Sequence, residues 1–198
     1  MSNTMTTIKL APLKVFCTSA DCVNGLHAFS PSRDMRGTPF EGACRVCKKM
    51  LIEWDRVHAR DIEDVGHVFA SLQVELVRHY FWHIAMPQRA IDYATRKGWS
   101  GLRERIPQQL RKLVGRSEPA WDGRQTPRED SNKVNPIHIA QHATASCCRK
   151  CIEVWHGIPK GQELDEIEID YLSRLALLYL EERLPDIGET GRSVPRRQ

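Results

Sequence analysis

The sequence predicts a mainly α fold, in which a helical metal-binding domain carries a small N-terminal zinc-ribbon-like β module. Three observations lead there. Apolar residues recur at spacings of three and four over 61–85 and 164–184, the mark of amphipathic helices. Two cysteine pairs near the N-terminus have the spacing of a four-thiolate zinc site, and 138–156 packs six histidines and cysteines into nineteen residues.

Taken in order, residues 1–15 read as a flexible N-terminus and 16–58 as the ribbon-like module. Cys17 and Cys22 enclose four residues, Cys44 and Cys47 enclose two, and twenty-one residues separate the pairs. Each pair can wrap sulfur around one ion, and Pro31, Gly37, Pro39 and Gly42 suit the turns and short strands between them. Two disulfides or four unrelated buried thiols are the competing readings. The segment Leu51 to His58 fits either a closing strand or a connecting helix.

The helical domain is expected over 61–184. Phe69, Leu72, Leu76 and Tyr80 line one face of a helix that Met86 and Pro87 end. Pro87 then opens a second helix, closed at Gly98, and a third begins behind Ser100 with Pro107 inside it. Residues 115–136 form the longest irregular region, where Trp121 is expected to find a surface to cover. Leu164, Ile167, Tyr171, Leu175 and Leu178 give the last helix its apolar stripe, followed by a flexible tail over 185–198.

The chain lacks an N-terminal apolar core of the signal-peptide kind and any run of roughly 20 apolar residues, so a cytoplasmic protein without membrane contact is expected. In a reducing compartment seven cysteines imply metal or thiol chemistry rather than cross-links. The net charge of +4 is unevenly spread. Residues 163–189 hold nine acidic and two basic residues, a balance of −7 that leaves about +11 elsewhere. Arg96, Lys97, Arg103, Arg105, Arg111 and Lys112 form the most basic strip, able to contact nucleic-acid phosphates but read more readily as a solvated helix face or a partner for the acidic C-terminal helix.

The chemistry concentrates in His138, His142, Cys147, Cys148, Cys151 and His156, whose imidazoles and thiols are the ligands zinc prefers. On one uninterrupted helix the histidines at 138 and 142 would face away from the cysteines, so a break around 143–146 is expected, with Ser146 capping a new helix. Cys148 and Cys151 then chelate with His142 and either His138 or His156. The pattern also matches three quarters of a zinc knuckle, departing at Gly161 where a cysteine is required. Cys147, if unbound, is a candidate reactive thiol, and Glu153 or Asp122 a candidate base at an open metal site. His79 and His83, one turn apart, read more readily as packed side chains than as ligands.

Gly123 to Pro127 (Gly-Arg-Gln-Thr-Pro), Ile139 to Cys151 (with Gln-His-Ala-Thr and Cys-Cys-Arg) and Trp155 to Gly161 (Trp-His-Gly-Ile-Pro-Lys-Gly) together resemble an uncharacterised domain family of bacterial and phage proteins. The likeness is specific over 123–161, extends from the central helices to Leu184, and leaves the N-terminal module aside. It implies a shared domain in which His142, Cys148 and Cys151 act together, with no assigned reaction. Two function classes result. One is a zinc protein with two ions, a four-cysteine structural site and a second site of histidines and cysteines, associated with nucleic acid or acting as an adaptor for a protein partner. The other is a metal-dependent hydrolase or nuclease using the second site.

Overall fold

The computed structural model describes residues 14–30 and 42–195. The expectations for 1–13, for the turns and strands of 31–41 and for the end of the tail at 196–198 lie outside them. Among the described residues seven α-helices follow in order: α1 (Trp54–His58), α2 (Val65–Gln73), α3 (Leu76–His83), α4 (Gln88–Val114), α5 (Pro136–Ala143), α6 (Arg149–His156) and α7 (Glu166–Arg183). α4 packs along α7, and α5 packs against α3, α4 and α7.

A mainly helical protein is therefore what forms, but a β module is not shown. The described N-terminal residues make only isolated bridges, Asp21 with Leu26, Ala43 with Met50 and His27 with Glu75. The first two close the tight turns that carry cysteines, and such turns need no sheet when side chains gather at one point. Leu51 to His58 resolves as helix α1 after a short non-helical lead.

The helix expected over 61–85 is cut at Val74 and Glu75. His27 is the cause: its N–H donates to Val74 O at 2.8 Å and its carbonyl accepts from Leu76 N at 2.9 Å. Glu75 adopts extended backbone there, φ −84° and ψ 124°. The N-terminal segment is thus stitched into the helical part and shares its core. Phe29, Trp54 and Trp155 meet with ring centroids 5.1 to 5.6 Å apart.

α4 departs from helical angles at Gly98, φ 64° and ψ 176°, while Pro107 sits inside its second half without a break. The N–H groups of Trp99 and Ser100, orphaned by that break, donate to Gly188 O and Glu189 O, and Arg192 N donates to Thr95 O. Residues 188–192 of the segment expected to fray therefore lie along α4. A Cβ on Gly98 would come within 2.4 Å of the Thr190 carbonyl carbon, so this approach requires glycine.

The later helices start where their sequences provide caps. Asn135 and His138 form a capping box with Pro136 in the first turn of α5, and Asp165 and Glu168 form another at α7. Two expectations need correcting. Trp121 is 78% exposed, in a turn where its own φ is 68°, and Ile167 is 80% exposed, because the first turn of α7 presents it to solvent rather than to the core.

Candidate metal centres

The N-terminal turns converge on a quartet. The ligand atoms of Cys22, His27, Cys44 and Cys47 all lie within 4.8 Å of one another. Cys22 Sγ is 3.8 Å from Cys44 Sγ, and Cys47 Sγ is 3.5 Å from His27 Nδ1. Tetrahedral zinc with metal–sulfur bonds near 2.3 Å has ligand edges of about 3.8 Å, so the spacing fits one ion. The turn after Cys22 closes through Gly25 at φ 75°, and the Cys44–Cys47 turn closes through Lys48 at φ 63°, whose N–H returns to Cys44 O.

The thiols of this quartet are unlike one another. Burial pushes the Cys44 thiol up, but backbone hydrogen bonds around Ala28, Cys47 and Val46 and the His27 ring outweigh it and bring it down to about 6. Burial, with hydrogen bonds to Cys44 and Cys47, raises Cys22 to about 11. One thiolate, Cys44, thus forms readily beside a Cys22 thiol that holds its proton, since adjacent sulfurs resist carrying like charge together.

The cysteine spacing alone points to a quartet of Cys17, Cys22, Cys44 and Cys47. The structure brings His27 to the place expected of Cys17. Cys22 and His27 are themselves separated by four residues, so the spacing that pairs Cys17 with Cys22 fits Cys22 with His27 equally well. Buried backbone pairing with Val74 and Leu76 fixes His27 there, which no local pattern announces.

A second group forms where α6 begins. The Cys147, Cys148 and Cys151 sulfurs lie within 4.8 Å of one another, with the residues 5%, 6% and 2% exposed. Cys148 itself is the N-cap of α6, in place of the expected Ser146, whose hydroxyl instead meets Thr144 Oγ1 at 3.2 Å. The break expected around 143–146 is present: α5 ends at Ala143 and Ala145 takes a left-handed φ of 55°.

Arg78, fully buried on α3, faces these sulfurs. Its Nη2 donates to Cys151 Sγ at 3.0 Å and reaches Cys17 Sγ at 4.0 Å, while Nη1 lies 3.7 Å from Cys147 Sγ. Hydrogen bonds from Cys148 and Cys151, together with Arg78, hold Cys147 well below the usual thiol range, and the same sulfur contacts raise Cys148 well above it. The neighbouring Cys151 thiol, together with burial, keeps the proton on Cys17. Cys147 is therefore the acidic thiol of the group, and also an enclosed one.

The three histidines are not brought to the sulfurs. His138 Nδ1 accepts from Asn135 N at 3.1 Å in the α5 capping box. His142 Nε2 pairs with Thr126 O at 3.3 Å, its ring stacked on Phe81 at 4.5 Å, and His156 Nε2 donates to Thr144 O at 2.9 Å. Burial lowers all three, His138 and His142 to about 4 and His156 to about 3, so they are neutral core groups. Neither candidate base is free: Asp122 Oδ1 accepts from Arg149 N at 2.8 Å, capping α6 from outside, and Glu153 Oε1 accepts from Lys160 N at 3.0 Å. His79 and His83 stack on each other at 4.0 Å.

The basic strip lies on α4, and part of it is answered within the fold. Arg103 Nη1 is 2.6 Å from Glu189 Oε1, and Arg111 Nη2 is 2.5 Å from Glu166 Oε2. Arg105 meets Gln108 at 3.2 Å, and Arg96, Lys97 and Lys112 are exposed. No described helix is long and apolar enough to cross a membrane.

A family model described as a domain of unknown function, DUF4186, matches residues 66–181. The match takes in Glu75, Arg78, Cys147, Cys148 and Cys151 and excludes Cys17, Cys22, His27, Cys44 and Cys47. No solved structure matches the chain.

Proposed function

The chain belongs to the DUF4186 family, a domain of unknown function, and from that premise we propose that it is a zinc protein with two ions, both structural, that works as an adaptor rather than at a metal-borne active site. The observation that carries this reading is the quartet of Cys22, His27, Cys44 and Cys47, four ligand atoms within 4.8 Å, a donor set that zinc fills without an open position. Three nearly enclosed thiols at the start of α6 supply the second site. Catalytic zinc keeps a position for water and substrate, and sulfurs this enclosed argue against one.

Seven free thiols favour a reducing, cytoplasmic setting. The partner is then met on the outside of the fold. The exposed Arg96, Lys97 and Lys112 make nucleic acid one candidate and an acidic protein another, although Arg103 and Arg111 already hold glutamates. Elemental analysis of the purified chain tests the metal reading. Two zinc ions per chain are expected, with one lost in Cys44→Ser and the other in Cys151→Ser. A metal-free chain with unchanged melting would overturn it.

A further inference from the structure

The second centre, as far as its three clustered thiols go, is one ligand short of a closed tetrahedron. We propose that Cys17 is the missing ligand, so that the site is a tetrathiolate assembled from the N-terminal strap and the start of α6. This rests on the two-ion reading above and names the ligand that completes it.

Four observations converge on Cys17. Its sulfur lies outside the mutual 4.8 Å of the three α6 sulfurs but is near enough to Cys151 for that thiol to help hold its proton. Arg78 Nη2 serves Cys17 and Cys151 together, at 4.0 and 3.0 Å, and the neighbouring Nη1 serves Cys147. One planar guanidinium thereby lies within 4.0 Å of Cys17 and of two of the three α6 sulfurs. The strap itself is fastened in place: Arg128 Nη1 donates to Val15 O at 2.8 Å, and Phe16 N donates to Ser19 Oγ at 3.0 Å. Finally, Cys17 is left over from the first centre, whose four positions His27 completes.

The sulfur spacing selects a single ion. Three sulfurs mutually within 4.8 Å lie close to the roughly 3.8 Å edge of a mononuclear thiolate tetrahedron. Four thiolates around zinc carry a net negative charge, and this site opposes it with the Arg78 guanidinium and the N-terminus of α6, whose N-cap is the ligand Cys148. Metal binding releases the thiol protons to solvent as each sulfur bonds to the ion, with no change of oxidation state.

One consequence concerns the strap between the centres. Cys17 and Cys22 pair by their spacing, yet each serves a different ion, so residues 17–22 tie the two centres together. The domain matched by the family model, 66–181, supplies three ligands of the second centre, and the fourth comes from outside that domain.

The test is zinc retention by the full chain against increasing chelator, for wild type, Cys17→Ser, Cys17→His and Cys148→Ser, with cobalt-substituted spectra alongside. Expected are two retained ions in wild type, and in Cys17→Ser one ion lost at least tenfold more easily, with weaker thiolate-to-cobalt absorption and helical content retained. Cys17→His, which keeps a ligand, restores tight binding. Should Cys17→Ser hold both ions as wild type does, with unchanged cobalt absorption, the assignment of Cys17 is overturned. If Cys17→Ser does not fold, Cys17→His decides: two tight ions with one fewer cobalt–sulfur absorption contribution support the ligand role, and undiminished absorption overturns it. A wild type with one ion that Cys148→Ser leaves intact would sink the two-ion reading itself, and the Cys17 assignment with it.

Discussion

Glu75 and Arg78 form an ion pair at 2.9 Å with side chains 1% and 0% exposed, one turn apart at the head of α3. The pair joins the two ends of the molecule. Glu75 Oε2 also accepts from Trp155 Nε1 at 2.9 Å, and Oε1 accepts from Phe29 N at 3.3 Å, so the carboxylate holds the His27 segment and α6 while its partner faces the α6 thiols. The break between α2 and α3 makes this possible, since an uninterrupted helix would have no free backbone at Val74 and Leu76 for His27 to pair with.

Removing Arg78 leaves the Glu75 carboxylate buried and unmatched, and neutralising Glu75 takes from the buried Arg78 its carboxylate partner at 2.9 Å. Glu75→Gln is expected to cost about 3–5 kcal/mol. A double replacement by Leu and Met recovers only part of this, because the hydrogen bonds to Trp155 and Phe29 go with the carboxylate. Urea denaturation of the three chains checks it, and a cost under about 1 kcal/mol, the size of an ordinary single hydrogen bond, would refute the bridging role.

His27 carries a different test, since it is not among the ligands the cysteine spacing suggests. His27→Ala is expected to lose one zinc ion per chain and to lower the melting temperature, because metal affinity is folding energy. His27→Cys keeps the ion, four thiolates being an equally acceptable zinc set. Metal content with circular dichroism reads both outcomes. An unchanged zinc count in His27→Ala would remove it from the centre.

Much of this is legible in the sequence, and the rest is hidden for physical reasons. Helix identity over 61–85 and 164–184 follows from periodicity, and the break expected between α5 and α6 is present although the histidines it is expected to bring to the cysteines do not join them. The cysteine spacing marks Cys22, Cys44 and Cys47, but ligand assignment among Cys17, Cys22 and His27 depends on where the strap runs in space. The three histidines near the thiols mislead because crowding in sequence is not convergence: α5 and α6 turn those rings to backbone carbonyls and to a cap. Arg78 carries no local signal, its importance arising from contacts 69 and 73 residues away along the chain.

The Gly98 break in α4 predicts a local failure. Alanine there must adopt a backbone region nearly exclusive to glycine, and its Cβ would meet the Thr190 and Gly191 backbone at 2.4 and 2.5 Å. Gly98→Ala is expected to cost about 1–3 kcal/mol of strain and to release residues 188–192 from α4. Hydrogen exchange should show this as lost protection at Trp99, Ser100 and Arg192, with both metal centres retained. Protection unchanged at those three amides would contradict the docking of the tail.

His156 gives a pH dependence whose sign can be worked out. Its Nε2 donates to Thr144 O, and its Nδ1 is buried with no hydrogen-bond partner, so a second proton would bury an uncompensated charge. Burial accordingly holds it at about 3 in the fold, against about 6.5 for an exposed histidine. Above about pH 6.5 neither folded nor unfolded chain protonates it and its full contribution to stability is present. As pH falls below that value the unfolded chain takes up a proton that the folded chain refuses, and stability drops by about 1.4 kcal/mol per pH unit until the folded pKa is reached. Ions held at the two proposed zinc sites would be released by acid and steepen the same curve, so the informative quantity is the difference between wild type and His156→Gln, in which the amide can still donate to Thr144 O. Denaturant unfolding from about pH 7.5 down to about 4.5 at fixed zinc is expected to show a shallower slope for the variant by about 1.4 kcal/mol per unit below about pH 6. Parallel curves would mean that His156 carries the same proton in both states, and that its burial is not what sets the acid sensitivity of the fold.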